Sequence, residues 1–269
     1  MPRRCTTSSS ATAPAAWNKR RSSGNESQAI ACDPGGGFHF GGAVPGKTAE
    51  SMNNTIQATC TACGRRHDIE VPGGINVEEN PELKSRVKDG SLFVWECPDC
   101  GTANLACCQT LYHDPGQRLM VWLLPDGVLP EDRLQTVEAA LAAQVSELEG
   151  YVLRRVSDVG SLIEKVNIHD AGLDDRVMEM CKYVTKTELA EKDRARAADI
   201  LDAPFKFYRM EGADNELTLS FPLDGRMQGV RIGFNVYEDC RGILSRNSSV
   251  QAGPGFARVD AAWLARYFR

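Results

Sequence analysis

Apolar residues recur every three or four positions in three segments of the second half of the chain. This is the spacing of a helix that buries one face, so each segment is predicted to be helical. The segments are residues 130–150, 159–170 and 173–191. Acidic residues open the first segment, as they do at helix N-termini, and this helix is expected to pack on the cysteine-rich part of the chain. The third segment has apolar residues on one side at Val177, Met180, Cys181 and Val184.

Acidic residues stand in and just after the first turn of the third predicted helix, at Asp174, Asp175 and Glu179. One interpretation is an acid/base or metal-binding cluster. The other is a solvated helix face, because acidic side chains at this end complement the helix dipole. The sequence favours the solvated face.

From Pro204 onward the apolar pattern changes toward a period of two, which is typical of strands with one buried face. It predicts an antiparallel meander of three strands, and then a helix over Val259–Arg269 at the end of the sequence. Cys240 follows the third strand without a partner at metal-ligand spacing, so it is interpreted as a structural or free thiol. The strands are predicted at 205–211, 216–224 and 228–240, with turns at 212–215 and 223–226.

Two Cys-x-x-Cys-Gly units, Cys60–Gly64 and Cys97–Gly101, are the strongest chemical signal in the sequence. Each unit supplies two thiolates from one tight turn, and its glycine permits the positive φ that the turn requires. Zinc takes four tetrahedral ligands, with sulfur at about 2.3 Å. The sequence therefore predicts one structural Zn²⁺ ion. Its ligands are Cys60, Cys63, Cys97 and Cys100.

Other uses of these cysteines stay open. A redox Cys-x-x-Cys pair normally stands alone at the start of a helix, whereas strand-like sequence follows each unit here. A disulfide framework needs an oxidising compartment, and the sequence has no signal-peptide pattern. Unligated thiols are a further alternative. His67 could replace one thiolate, but four cysteines favour a closed structural site over an open catalytic one.

The segment between the two units predicts a short helix. Asn80 can cap it, Pro81 suits its first position and Gly90 can end it. Strand-like sequence over 91–97 then leads into the second unit.

After the second unit, residues 102–125 predict a β-hairpin with its turn at 113–116, where proline and glycine follow an aspartate. Cys107 and Cys108 would lie in its first arm. Adjacent strand residues face opposite ways, so both cannot easily join one metal site, and they are interpreted as small strand residues.

Short motifs accompany the cysteines at Ile75-Asn76, Asn80–Lys84, Asp89-Gly90, Cys97–Gly101 and Leu111–Asp114. Together they resemble the CpXC domain proteins, a family named for two Cys-Pro-x-Cys motifs. The resemblance is clear over about 56–125 and looser over 164–182. It implies a zinc-holding domain of bacteria or archaea and no particular activity. Thr61 stands where the family would have proline, which keeps the ligands and weakens only the preorganisation of the turn.

Residues 1–54 are rich in Gly, Ser and Ala, and they are predicted to be a disordered tail because they hold too little apolar surface. Residues 41–48 match the phosphate-binding pattern G-x-x-x-x-G-K-[ST]. No buried strand delivers this loop and no long helix leaves it, so no nucleotide site is expected there. Met52 is an alternative start of translation, and a targeting segment is a further interpretation of the tail.

The formal net charge is −5 at pH 7, and the sequence after the tail is more acidic than the whole. This balance disfavours a nucleic-acid partner. Apolar runs such as 119–125 are shorter than the roughly 20 residues of a membrane-spanning helix. A cytoplasmic protein with no membrane contact is therefore predicted. The candidate phosphate contacts of a nucleic-acid-binding protein would be Arg65, Arg66, Lys84, Arg86 and Lys88.

We predict an α+β protein in which the tail is followed by a zinc ribbon with β-hairpins over 55–128, and by helices and a small antiparallel sheet over 129–269. No catalytic set is visible, so a non-enzymatic ribbon that serves a protein partner is favoured. An enzyme of unknown reaction, or a thiol-redox protein that uses the Cys-x-x-Cys pairs, is the alternative. A nucleic-acid-binding zinc ribbon is the third.

Overall fold

The structure, a computed structural model, describes residues 53–130, 133–138 and 149–268. These residues fall into two compact units. We call residues 53–163 with Pro254–Ala257 the ribbon unit, and Glu164–Gly253 with residues 258–268 the helical unit.

Several predictions concern residues outside this part of the chain. They are the tail before residue 53, the pattern at 41–48 and most of the helix predicted at 130–150. Within the described residues, no helix is both long enough and apolar enough to cross a membrane.

Short strands dominate the described part of the ribbon unit, and a short helix, α1 (Pro81–Lys88), lies among them. The strands are β1 (Asn53–Thr59), β2 (Arg66–Pro72), β3 (Gly74–Asn76), β4 (Val94–Glu96), β5 (Ala103–Leu105), β6 (Thr110–Asp114), β7 (Leu119–Leu123) and β8 (Val152–Val156).

Two antiparallel hairpins in this unit carry the cysteine motifs. β1 pairs with β2, and the first motif forms the turn between them. β4 pairs with β5 around the second motif. Two such hairpins are typical of a zinc-ribbon-like region, and with the helices and small sheets of the chain they confirm the predicted α+β class.

The largest sheet of the ribbon unit has the strand order β3-β6-β7-β8. β6 and β7 form the predicted hairpin, and Asp114 stabilises its turn by accepting a hydrogen bond from the Gln117 N–H at 3.2 Å. Its first arm starts at Thr110, so the placement of Cys107 and Cys108 within a strand was wrong. The chain pairs with β4 at residues 103–105 and passes through both cysteines before it enters the second sheet.

The core of this sheet is built around Trp122, which meets the edge of Phe256 at a ring separation of 5.9 Å. Leu134, from helical residues 133–138, packs into the same cluster. The described part of the predicted amphipathic helix therefore packs on the sheet of this unit beside Trp122. β8, which runs parallel to β7, was not predicted.

Helix α1 begins and ends where the sequence indicates. Pro81 occupies the first turn and Gly90 adopts a φ of 76°, although the side chain of Asn80 makes no capping hydrogen bond. Lys84 donates to Asp114 at 2.8 Å and so ties the helix to the β6–β7 hairpin.

The helical unit contains a three-stranded antiparallel sheet with the order β11-β10-β9, as predicted for the meander. Its elements are α2 (Val159–Asp170), α3 (Asp175–Lys192), α4 (Ala197–Asp202), β9 (Lys206–Glu211), β10 (Glu216–Leu223), β11 (Arg226–Ile232), α5 (Phe234–Ser245) and α6 (Ala261–Leu264).

The prediction that the third strand continues to Cys240 was wrong. The strand ends at Ile232, and Cys240 lies buried within helix α5. Tyr237, Cys240 and Leu244 are the buried residues of α5, and they recur at the helical spacing of three and four. Burial of this face outweighs the short alternating pattern.

Helices α2 and α3 bury charged side chains that the sequence placed in solvent. Asp175 and Glu179 are only 1% and 4% exposed, so the predicted solvated face was wrong for both. Asp174 does remain at the surface, where it accepts a hydrogen bond from the Arg176 N–H at 2.9 Å. Asp175 and Glu179 are buried because of a tertiary contact. Lys165, on α2, pairs with Asp175 and also lies close to Glu179.

These buried charges pair with one another. Lys182 donates to Glu179 at 2.6 Å and to Glu164 at 2.9 Å. Lys165 donates to Asp175 at 2.7 Å and to the Val259 carbonyl at 2.8 Å. Burial raises the pKa of Glu164, but the surrounding lysines outweigh that effect and lower it. Internal pairing therefore favours the ionised form of Glu164, whereas burial outweighs the same lysines at Glu179 and raises its pKa.

We predict that Lys182→Met destabilises the protein by about 3–5 kcal/mol, because it leaves two buried carboxylates without their shared cation. Lys192→Met is the matched control on the same helix, since Lys192 pairs with Glu188 at the surface and its loss should cost less than about 0.5 kcal/mol. Urea unfolding measures both values. Equal stability of the two variants would contradict the prediction.

Candidate metal centre

Both cysteine motifs form the same backbone turn. The Gly64 N–H donates to the Cys60 carbonyl at 3.0 Å, and the Gly101 N–H donates to the Cys97 carbonyl at 2.8 Å. The two glycines adopt φ values of 72° and 69°, a region in which other residues are strained. The predicted role of these glycines is confirmed.

The two turns bring four sulfur atoms together. Cys60 Sγ lies 3.6 Å from Cys100 Sγ, and Cys63 Sγ lies 3.7 Å from Cys97 Sγ. All four lie within 4.8 Å of one another. A tetrahedral ion with sulfur ligands at about 2.3 Å requires sulfur separations of about 3.8 Å. The predicted residues thus form a cluster with the dimensions of a tetrahedral metal site.

The sulfur atoms differ in environment. Cys60 and Cys97 are buried, whereas Cys63 and Cys100 are exposed. Burial raises the pKa of Cys60, but the N–H groups of Cys63 and Ala62 outweigh it and lower that pKa to about 6. Cys60 is thus a thiolate at neutral pH.

Cys63 shows the opposite behaviour. The Arg65 N–H lowers the pKa of Cys63, but burial and the three neighbouring cysteines outweigh it and raise the pKa to about 12. Thiolates this close repel one another, so Cys63 holds its proton until a cation supplies compensating charge.

Asn104, on β5, connects the two motifs and was not singled out by the sequence. Its Oδ1 accepts hydrogen bonds from the Thr61 N–H at 2.9 Å and the Thr61 hydroxyl at 2.8 Å. Its Nδ2 donates to the Thr102 carbonyl at 2.8 Å and to Cys60 Sγ at 3.6 Å. The available signal was an asparagine three residues after Gly101, within the strand-like sequence that follows the second motif.

The hydrogen bonds to Asn104 hold Thr61 in place although it lacks the rigid ring of the proline found in the family. A proline at this position would have no N–H and no hydroxyl to donate to Asn104. The expected loss of preorganisation in the first turn is therefore offset by two hydrogen bonds across the ribbon.

A polar group borders the cluster on one side. His67 Nε2 lies 3.6 Å from Cys97 Sγ and 3.0 Å from Asp99 Oδ2, and Arg65 pairs with Asp99 Oδ1 at 2.7 Å. His67, considered above as a replacement ligand, thus contacts the Cys97 sulfur without belonging to the four-cysteine set.

The remaining cysteines that the sequence raised are buried elsewhere. Cys107 and Cys108 are 2% and 3% exposed, and Cys108 packs against Val71 and Ala106. In the helical unit, Cys181 and Cys240 hydrogen-bond to each other.

Comparison with known proteins gives one family and one relative. Residues 58–182 match the family model described as "CpXC protein". A protein of Treponema pallidum (strain Nichols), described as "Uncharacterized protein", is 26% identical over 138 residues. That alignment covers 48% of this chain and 61% of the relative, so the chain spans less than two thirds of the relative's length. No solved structure matches the chain.

The matched residues include both cysteine motifs, the helix α1 between them, the β6–β7 hairpin after them and the first turns of α3. The resemblance seen in the sequence is thereby confirmed: residues 58–182 match the CpXC family model.

Proposed function

We propose that this protein is a structural zinc protein, in which one Zn²⁺ ion bound by the four cysteine thiolates joins the two hairpins of the ribbon unit. The ribbon, once folded, serves contact with a protein partner and carries no reaction of its own. The observation that carries the proposal is the sulfur spacing of 3.6 and 3.7 Å between the motifs.

Zinc is the ion that this ligand set favours. Thiolates are soft ligands, and four of them in a tetrahedral arrangement are typical of structural zinc sites. Because all four ligands come from the protein, the coordination shell would have no open position for water or substrate. This supports a structural role over a catalytic one.

The hairpins need such a crosslink because each is small. A two-stranded hairpin alone is at best marginally stable in water. The apolar cluster beneath the hairpins is modest, with Val71, Ala106 and Cys108 at its centre. Binding of zinc by four thiolates supplies about 10–16 kcal/mol in small zinc domains, enough to order both hairpins.

The cross-motif pairing of the sulfurs favours a metal over a redox couple. Cys60 lies next to Cys100, Cys63 lies next to Cys97 and all four sulfurs lie within 4.8 Å of one another, so the thiols form one cluster and not two separate pairs. Each motif is the turn of a hairpin, whereas a redox Cys-x-x-Cys pair begins a helix.

A protein partner is favoured over nucleic acid by the surface around the centre. Val94 and Leu105 face each other across β4 and β5, and they are 44% and 46% exposed. Arg65 and Lys84, two candidate phosphate contacts, are instead paired with Asp99 and Asp114. We propose that the Val94 and Leu105 side chains form the centre of the partner's contact area.

For the metal itself, we expect about one zinc ion per chain in elemental analysis of the purified protein, because a closed four-thiolate site holds one ion. Cys97→Ser/Cys100→Ser should lose the ion and the protection of β4 and β5 from hydrogen exchange. Cys107→Ala, a buried cysteine outside the cluster, is the control and should keep the ion. Metal-free native protein with reversible thiol oxidation at Cys60/Cys63 or Cys97/Cys100 would instead favour the redox alternative.

For the support of the centre, we expect Asn104→Ala to weaken zinc binding about 10- to 100-fold, as loss of groups that orient metal ligands typically does. Competition with a chromophoric chelator measures the affinity. Asn80→Ala is a suitable control because the Asn80 side chain makes no capping hydrogen bond. Unchanged affinity in Asn104→Ala would show that the bridge from Thr61 to Cys60 has no effect on the site.

For the partner, Val94→Ser/Leu105→Ser should abolish copurification of a specific protein while zinc content stays unchanged. Tyr183→Ser/Leu201→Ser removes two comparably exposed apolar side chains from the helical unit and serves as the control. Quantitative mass spectrometry of tagged protein compares the three chains. The proposed contact area is wrong if a protein bound by the native chain is retained equally by both variants.

A further inference from the structure

The side chains of His67 and Asp99 lie beside Cys97 and form a second group of potential metal ligands with it. His67 Nε2 lies 3.0 Å from Asp99 Oδ2 and 3.6 Å from Cys97 Sγ. The three potential ligand atoms all lie within 4.8 Å of one another. Since His67 is on β2 and Asp99 is in the second motif, the group joins both hairpins.

The group does not have the geometry of a catalytic relay. In a Cys–His–Asp relay the thiol and the carboxylate contact different ring nitrogens of the histidine. Here both Cys97 and Asp99 face the same nitrogen, Nε2. The histidine therefore cannot take a proton from sulfur while the carboxylate orients its other side, and a shared ion between the three atoms is the alternative to be considered.

The distances suit a divalent cation. With metal bonds of about 2.0–2.1 Å to histidine, about 2.0–2.2 Å to carboxylate and about 2.3 Å to sulfur, the two separations correspond to ligand angles of roughly 90–95° and roughly 110°. The second angle is close to the tetrahedral value, whereas the first is smaller and requires His67 and Asp99 to move slightly apart when an ion binds. Imidazole, carboxylate and thiolate together form a donor set for zinc or cobalt.

We propose that His67, Asp99 and the Cys97 thiolate form a second divalent-cation position, in which Cys97 bridges to the ion of the four-thiolate centre. This inference rests on the proposed function, because the bridging sulfur must be a metal-bound thiolate. A zinc ion with four thiolates carries about two net negative charges, which attract a second cation. Three protein ligands leave one position for water.

Binding at this position exchanges the His67–Asp99 hydrogen bond for metal bonds. The proton that Nε2 donates to Asp99 must leave that nitrogen, so that the metal-bound imidazole carries its one proton on Nδ1. Asp99 turns Oδ2 from His67 to the ion, while Oδ1 keeps its 2.7 Å ion pair with Arg65. The side chains of His67 and Asp99 are 20% and 31% exposed and the Arg65 charge lies close by, so this position binds more weakly than the centre.

The test is a Zn²⁺ titration of the full chain that already holds its first ion, with equilibrium dialysis and elemental analysis as the readout. We expect native protein to reach two ions per chain. His67→Ala and Asp99→Asn should each keep the first ion and lose at least 10-fold in affinity for the second. With cadmium in place of zinc, native protein should show two cadmium NMR signals and each variant one.

Matched controls are His113→Ala and Asp68→Asn, which remove a histidine and an acid outside the group and should still bind two ions. Retention of the first ion reports that the ribbon of each variant is folded. Native protein that saturates at one ion overturns the second position and leaves the proposed function intact, whereas native protein with no ion overturns both. A His67→Ala variant that still binds two ions, or that binds none, also overturns the inference.

Discussion

Four sulfur atoms held within 4.8 Å of one another are the constraint on which the ribbon unit depends. The hairpin turns that deliver them fix this closeness, and thiolates at such distances repel unless a cation lies between them. Backbone N–H groups lower the pKa of Cys60, whereas the neighbouring cysteines raise the pKa of Cys63. The cluster accepts the first negative charge readily and resists the last. A bound cation removes the conflict and at the same time joins two hairpins that are too small to be stable alone.

Asn104 shows how the protein prepares this cluster before any ion arrives. Its side-chain oxygen accepts hydrogen bonds from Thr61 in the first motif, and its side-chain nitrogen donates to the Cys60 sulfur and the Thr102 carbonyl. An asparagine side chain in this position fixes the relative placement of the motifs and leaves its neutral N–H facing sulfur. The presence of threonine in place of proline at residue 61 is thus part of the site, since only a residue with an N–H can complete the bridge.

The sequence predicted what depends on neighbours in the chain. Glycines at 64 and 101, the proline at 81 and the helical spacing of α2 and α3 act locally, and the structure has these elements where the sequence placed them. It failed where a distant element decides. The local sequence pattern places Cys240 at the end of a strand, and only the burial of one helix face shows that it lies in α5. Strand β8 is likewise defined by its pairing with the distant strand β7. Asn104 belongs to the same class, because its role exists only once the first motif is folded against it.

The two units handle negative charge in different ways, and this difference bears on function. In the helical unit, Glu164, Asp175 and Glu179 are matched by lysines of the same unit, with Lys165 and Lys182 buried beside them and Lys206 at 3.7 Å from Glu164. The lysines neutralise these carboxylates within the unit, so these carboxylates need no bound cation to compensate their charge. Around the thiolates the donors are neutral: backbone N–H groups, the Asn104 amide and the Thr102 hydroxyl. Neutral donors can orient thiolates and lower their pKa, but they cannot cancel their charge. Under the proposed function the compensating cation comes from solution, and the ribbon unit is then the part of the protein whose folding responds to metal.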